Sequence, residues 1–293
     1  MRPVADNLLA AVRPGEPIIR LAGVSKAFGP NVVFQGLDVA FRRGETAVVL
    51  GQSGVGKSVM LKLILGLLKP DAGRVLINGL DITDLPERRL VPVRVHFGMV
   101  FQESALFDYL TVFENVAFGL REHRDLSDRE LREAVARKLA LVDMEGTERL
   151  YPEELSGGMR KRVGLARAIA INPEVILYDE PTAGLDPLTG DTINRLILRC
   201  RDELNATSLV VTHDIASACR VGDRLLMLYH GAIIADGTPD AIRASPDVRV
   251  RQFIQGRAEP GAAGPVAEGR PASPGRSPAG PPGRILTDQG TRP

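Results

Sequence analysis

Long hydrophobic runs are missing from this 293-residue chain. A membrane-spanning helix needs about 18 or more consecutive apolar residues. The longest candidates fall short: Leu61 to Leu68 is broken by Lys62, and Val175 to Tyr178 has only the length of a strand. The chain is not expected to cross a bilayer. A surplus of one charge sign is missing as well, with 37 basic against 36 acidic residues and a formal net charge of +1. Such a balance gives no field that would hold the protein on nucleic acid or on an anionic membrane by electrostatics alone. The basic residues between Arg121 and Lys138 are interrupted throughout by acidic ones and read as a solvated helix face, so no nucleic-acid partner is expected. Cysteine is scarce. Cys200 and Cys219 stand far from any C-x-x-C or Cys/His ligand spacing and are expected to be reduced thiols. The N-terminal MRPVADNLLAAVRPGEP has a short apolar patch at Leu8 to Val12, but Asp6 precedes it and Pro14 follows, unlike a signal peptide; a cytosolic location is expected.

What is present is ordinary globular material: 44% hydrophobic and 25% charged residues, enough for a full α/β core. The composition changes sharply after Arg257, where Pro and Gly supply roughly 40% of the residues and only Ile285 to Thr287 is apolar. That tail is too poor in apolar surface to fold alone. Between Ile18 and Gly256, strand-length apolar segments at Thr46–Leu50, Val75–Ile77, His96–Val100, Glu174–Tyr178, Ser208–Thr212 and Leu225–Tyr229 alternate with helix-period segments. This alternation is the mark of a largely parallel sheet with crossover helices. The stretch from Thr111 to Met144 breaks it: TVFENVAFGLREH is followed by Ser127 and Glu130, spaced as a capping box, which predicts an inserted all-helical unit.

The chemistry is anchored by GQSGVGKS, Gly51 to Ser58, placed directly after an apolar strand and before the amphipathic MLKLILGLL. Glycines there let the backbone wrap a polyphosphate, so that its N–H groups and the helix N-terminus face the anion. Lys57 then reaches the β and γ oxygens and Ser58 ligates Mg²⁺. Candidate nucleotide-binding residues are Gly51, Gln52, Ser53, Gly54, Val55, Gly56, Lys57, Ser58 and the adjoining Val59. Such a loop needs an acid at the end of a neighbouring buried strand, and EVILYDE supplies Asp179, with Glu180 directly after it. Adjacent strand-end carboxylates point different ways, so Asp179 suits the metal while Glu180 suits the attacking water. Alone, the two would read as solvated acids at a strand end.

LSGGMRKR, Leu155 to Arg162, resembles the signature motif of ATP-binding cassette (ABC) ATPases, and other family elements follow in order and spacing. Gln102 resembles the Q-loop glutamine, Ala183 to Pro187 the D-loop, His213 the switch histidine, and Phe28 the aromatic that stacks on adenine. The resemblance spans Ile18 to Gly256. It implies the P-loop NTPase fold of the ABC ATPase type: a mostly parallel sheet, an antiparallel β subdomain and an inserted α-helical subdomain at about 103–170. It further implies ATP and Mg²⁺ as ligands, with Ser58, Gln102 and Asp179 at the metal and Glu180, His213 and Gln102 as the catalytic set. A head-to-tail homodimer follows, in which Ser156, Gly157 and Gly158 of one subunit close on nucleotide held by the P-loop of the other. A Gly-Gly helix start has the exposed N–H groups and positive dipole end this requires, although by itself Ser-Gly-Gly would read as a plain N-cap. One departure is Met159-Arg160, where many members carry Gln; it removes a polar side chain near the trans nucleotide and leaves Ser156 and both glycines intact.

Phe101 to His123, with LSGGM and Ser245 to Gly256, is more specifically similar to the Mla/Mce branch, the ATP-binding subunits of phospholipid or sterol transport systems. That resemblance implies a peripheral protein on the cytoplasmic face of the inner membrane, working with a separate transmembrane permease and an Mce-type lipid-binding subunit. Leu106, Phe107, Tyr109, Leu110 and Phe113 are expected either to form a groove for a permease helix or to join the core. A polar-solute transporter subunit and a soluble, non-transport ABC ATPase are the alternatives. The division expected is an extension over 1–17, the ATPase domain over 18–244, a helical extension over 245–257 that lays Phe253 and Ile254 on the partner subunit, and a disordered tail over 258–293.

Overall fold

The structure, a computed structural model, describes residues 17–257. The expectations for residues 1–16 and for the Pro/Gly-rich tail from 258 onward lie outside the described residues. Four strands form an antiparallel sheet: β1 (Pro17–Phe28), β2 (Asn31–Arg42), β4 (Ala72–Ile77) and β5 (Leu80–Asp81), in the order β2-β1-β4-β5. Six others, β3 (Thr46–Leu50), β6 (Phe97–Val100), β7 (Val175–Asp179), β8 (Thr207–Thr212), β9 (Arg224–Tyr229) and β10 (Ala232–Gly237), make a second sheet in the order β10-β9-β3-β8-β7-β6. All its pairings are parallel except that of β10 with β9. The six apolar segments read as strands are all strands here, with Val75–Ile77 in the antiparallel sheet; β1, β2, β5 and β10 are strands beyond those six.

The central strands are apolar without alternation because both faces of the sheet are covered. Along β3, Val48 and Leu50 enter one core while Ala47 and Val49 enter the other. The first core joins Ile176, Tyr178 and Val210 to the helices α3 (Val112–His123), α4 (Asp128–Leu141), α5 (Gly157–Ala168), α6 (Pro187–Leu204) and α7 (Ile215–Val221). The second joins Leu177, Leu209 and Val211 to α1 (Lys57–Ile64), α2 (Glu87–Arg94) and the buried face of the antiparallel sheet, including Ile19, Leu21 and Phe41. Cys200 is fully buried in the first core, and burial pushes its thiol up to about 12.

The helical insertion forms as the capping pattern predicts. At α4, the Ser127 hydroxyl accepts from Glu130 N, and Glu130 Oε2 accepts from Ser127 N at 2.8 Å. A second box opens α3, where Thr111 and Glu114 exchange the same bonds. One expectation changes. The helix after the P-loop begins at Lys57 and ends at Ile64, short of the apolar run to Leu68, because Gly66 takes a left-handed turn at φ +63°. The C-terminal segment is helical, as α8 (Pro239–Arg243) and α9 (Val248–Ile254), and one face of α9 joins the chain's own core. Val250 is wholly buried there, and Phe253 and Ile254 pack against the same core while staying half-buried.

Replacing Val250 with Ala should therefore cost about 2 kcal/mol. For a domain of this size that lowers Tm by roughly 4–8 °C; an unchanged melting curve in differential scanning calorimetry would contradict the packing of α9.

Candidate functional site

Four chain segments leave the carboxyl ends of adjacent parallel strands and converge, where open α/β sheets place their ligand sites. Leu50 at the end of β3 lies opposite Thr212 at the end of β8, and Asp179 at the end of β7 lies opposite Val211. The P-loop therefore leaves beside His213, Glu180 beside both, and Gln102 follows β6 on the far side of β7. Two glycines of the loop are required by space. A Cβ on Gly51 would stand 2.7 Å from the carbonyl oxygen of Leu228, and one on Gly56, at φ +109°, 2.5 Å from Val33 Cγ1. Gly56 is the N-cap of α1, so the helix's free N–H groups open into the loop. Lys57 folds across it: Nζ donates to the carbonyls of Gly51 (2.7 Å) and Gln52 (3.0 Å) and lies 3.1 Å from Glu180 Oε1.

The two adjacent acids diverge. Asp179 Oδ1 accepts a 3.0 Å hydrogen bond from Ser58 Oγ, and burial, reinforced by the neighbouring Glu180 charge, raises its carboxyl above the usual range despite that bond. Glu180 goes the other way. Burial alone would raise it, but the His213 hydrogen bond and the Lys57 ammonium together outweigh that and hold the carboxyl below its ordinary value. Its Oε2 accepts from Thr212 Oγ1 at 3.1 Å and from His213 N at 3.3 Å, and meets His213 Nδ1 at 2.9 Å. An ionised carboxylate only accepts, so Nδ1 carries the proton of that contact. Glu180 reaches this position through a left-handed backbone, φ +47°, which turns its side chain away from that of Asp179.

A cleft of about 230 Å³ gathers Ser53, Gly54, Gly56, Lys57, Ser58, Val59, Gln102, Glu180 and His213. Of the other expected residues, Gly51 and Gln52 serve through the carbonyls that hold Lys57, Val55 packs on the second core, and Asp179 stands behind Ser58. Phe28 lies outside the cleft at the end of β1, 46% exposed, with Lys26 Nζ 5.4 Å from its ring centre and bound to Asp71. Ser156, Gly157 and Gly158 are elsewhere too. Ser156 caps α5 by accepting from Met159 N, with Ser156 and Gly157 exposed and Gly158 pressed against α6, where a Cβ would stand 2.6 Å from Thr189 Cγ2. Met159 packs on the first core, and the Arg160 guanidinium donates to the Leu155 carbonyl. Thr212 escaped the sequence reading; its signal was a hydroxyl at the buried end of the apolar run SLVVT, next to His213.

Residues 34–183 match the family described as ABC transporter. The chain belongs to that family. The cassette is 41% identical over 239 residues to the probable ribonucleotide transport ATP-binding protein mkl of Mycobacterium tuberculosis, covering 82% of this chain and 67% of that protein. It is 40% identical over 255 residues to the intermembrane phospholipid transport system ATP-binding protein MlaF of Haemophilus influenzae, covering 87% of this chain and 95% of that one. Among solved structures, it resembles the dimeric ATP-binding cassette MJ0796 in a post-hydrolysis state bound to ADP and Pi, with a TM-score of 0.70 and 34% identity over 75% of this chain and 98% of that one.

A second cleft of the cassette, about 430 Å³, lies between β6 and the helical insertion and is lined by Met99, Phe101, Phe107, Phe118 and Ile171, with Arg94 at its edge. Of the five apolar residues expected either to form a groove or to join the core, Phe107 lines this cleft. Leu106 and Phe113 pack on the first core, Leu110 is half-buried elsewhere, and Tyr109 is 75% exposed outside the cleft.

Because the Glu180 carboxyl is held low in the fold, the stability it contributes is complete above its unfolded value near 4.5 and is lost as pH falls through the lower folded value. Glu180→Gln leaves the Lys57 ammonium buried without its carboxylate, at a cost of about 3 kcal/mol near neutral pH. Urea unfolding of both proteins should give a stability gap that is flat above about pH 5 and narrows below it; a gap independent of pH would contradict the ion pair.

Proposed function

We propose that this cassette is the ATP-hydrolysing subunit of a membrane transporter that moves phospholipid between membranes through a separate permease. The observation that carries the cargo is the 40% identity to MlaF, which extends over 95% of that protein's length. The enzymatic activity is ATP hydrolysis, consistent with the ADP and Pi in the related cassette. No helix among the described residues is long and apolar enough to cross a membrane, so the lipid path belongs to a partner chain. The cassette works on the cytoplasmic face of the inner membrane, with an Mce-type lipid-binding subunit in the same assembly.

In this reading Gly51 to Ser58 wrap the phosphates, and Lys57 exchanges its bonds to the Gly51 and Gln52 carbonyls and to Glu180 for the β and γ oxygens. Ser58 and Asp179 present hard oxygen donors side by side, the set that suits Mg²⁺, and Gln102 lines the same cleft. Bound there, Mg²⁺ would neutralise charge on the phosphates. Glu180 is the base. Its Oε2 is taken up by Thr212 and His213, so Oε1, the oxygen facing Lys57, is the one released toward the attacking water when Lys57 moves to phosphate. His213 fixes that carboxylate and contacts the γ-phosphate. Phe28 stacks on the adenine.

The exposed start of α5 supports a head-to-tail homodimer, since Ser156 and Gly157 are open to solvent and do not line the chain's own P-loop cleft. Their free N–H groups complete the partner's nucleotide site. The aromatic cleft beside β6 receives an apolar helix of the permease. A second reading, transport of a ribonucleotide-like anion, is favoured by the name of the mycobacterial relative mkl.

Glu180→Gln should retain ATP binding and lose turnover by at least about 100-fold, read by phosphate release; an unchanged rate would remove Glu180 from the base's role. For the cargo, the tagged cassette is purified from its own membranes in mild detergent, followed by protein and lipid mass spectrometry. A multi-span permease with an Mce-type subunit and bound phospholipid is the expected result, whereas a solute permease without lipid would favour the second reading. Phe118→Glu should abolish recovery of the permease while the isolated cassette still binds nucleotide.

A further inference from the structure

Lys161 is a buried cation for which the mechanism above has no use. It lies on α5, one turn beyond Gly157 and Gly158, and is only 8% exposed. Burying an ammonium is costly unless it is hydrogen-bonded and faces compensating charge. Its Nζ donates to the main-chain carbonyl of Glu180 at 3.4 Å, and the Glu103 and Glu180 carboxylates offset only part of the cost of its burial. No other hydrogen bond or ion pair of this side chain is found among the described residues, so what this costly group obtains is contact with the backbone of Glu180.

That backbone needs holding. Glu180 sits at φ +47°, and the next residue is Pro181, which has no N–H, so the peptide between them can be gripped only by its carbonyl. The amide of Glu180 donates to the Val211 carbonyl at 2.9 Å, and its own carbonyl accepts from Ala183 N at 3.1 Å and from Lys161. The first two partners belong to β8 and to the turn that follows Glu180; Lys161 alone comes from the helix whose first residues are Gly157 and Gly158. The same helix holds the other side of the cleft. Arg167 donates to the carbonyls of Ser104 (2.9 Å) and Ala105 (2.7 Å), both left-handed and directly beyond Gln102 and Glu103.

We propose that Lys161 is a positioning residue that ties the signature helix to Glu180, so that the orientation of the carboxylate depends on where α5 stands. The proposal rests on the reading of Glu180 as the base. With Ser156 to Gly158 at a partner's nucleotide, α5 relays that nucleotide's presence to the Glu180 of its own chain through a rigid helix and one side chain.

The test is steady-state ATP hydrolysis by the full-length protein and its Lys161→Met, Lys161→Arg and Glu180→Gln variants, with binding of a fluorescent ATP analogue measured for each. Met keeps apolar bulk without the donor; Arg keeps a cationic N–H donor. Lys161→Met is expected to lower kcat about tenfold, as a misplaced reacting group does, with KM for ATP and analogue binding within about twofold, while Lys161→Arg stays within about threefold of wild type. Wild-type kcat in Lys161→Met would overturn the proposal. So would a change confined to KM, a loss in Lys161→Arg equal to that in Lys161→Met, or loss of analogue binding by both variants, which would assign Lys161 to packing. If Glu180→Gln itself turns over normally, the fault lies in the assignment of the base, and the Lys161 variants read separately from it.

Discussion

The parallel register of β3, β8 and β7 is the constraint on which the cassette depends. Pairing Leu50 with Thr212 and Asp179 with Val211 brings the ends of three buried strands to one level. The P-loop, the divergent acids and His213 then need only a residue or two of chain to meet. A slip of one residue would turn every strand side chain to the opposite face. Here both faces are packed, with Val48 and Leu50 in one core and Ala47 and Val49 in the other, so a slip is penalised twice. The precision of the polar cleft is thus inherited from apolar packing beneath it, which reaches the cleft wall at Val59.

Within that frame the site is held by a connected set of side-chain contacts. Thr212 and His213 fix one oxygen of Glu180, and Lys57 pairs with the other. Ser58 takes up Asp179, so the two neighbouring carboxylates have separate hydrogen-bond partners. The opposite displacements of their protonation equilibria follow: for Asp179 burial outweighs the Ser58 hydrogen bond, with its neighbour's charge adding to the rise, whereas Glu180 has partners strong enough to overcome burial.

Much of this was legible in the chain itself. The P-loop is readable because glycine is demanded by close backbone approach at Gly51 and Gly56, and a strand and a helix flank it. The capping box at Ser127 is readable because its reciprocal bonds lie within four residues of chain. Long-range choices left weaker marks. Nothing local says that Val250 and Phe253 fold back on their own core, nor that Leu106 and Phe113 turn inward while Phe101 and Phe118 line the cleft, since all are apolar and only tertiary placement separates them. Lys161 is the extreme case: in a run of Arg160, Lys161 and Arg162 it reads as solvated charge, and only the packed helix shows that the middle cation points inward.

The pressing of Gly158 against Thr189 sets the starts of α5 and α6 side by side. Each such start carries about half a positive charge, but the two are not equivalent. Asp186 caps α6 and spends its carboxylate on the N–H groups of Leu188 and Thr189, so that end carries its own counter-charge. Ser156 caps α5 with a neutral hydroxyl, and no acidic residue stands in that helix's first turn. Of two neighbouring dipoles, one is silenced from within and the other is left uncompensated at the surface. The protein's outward face therefore carries a localised attraction for negative charge that its near-zero net charge conceals, and because the attraction arises from peptide dipoles rather than from a titrating side chain, acidity does not switch it off while the helix stays folded.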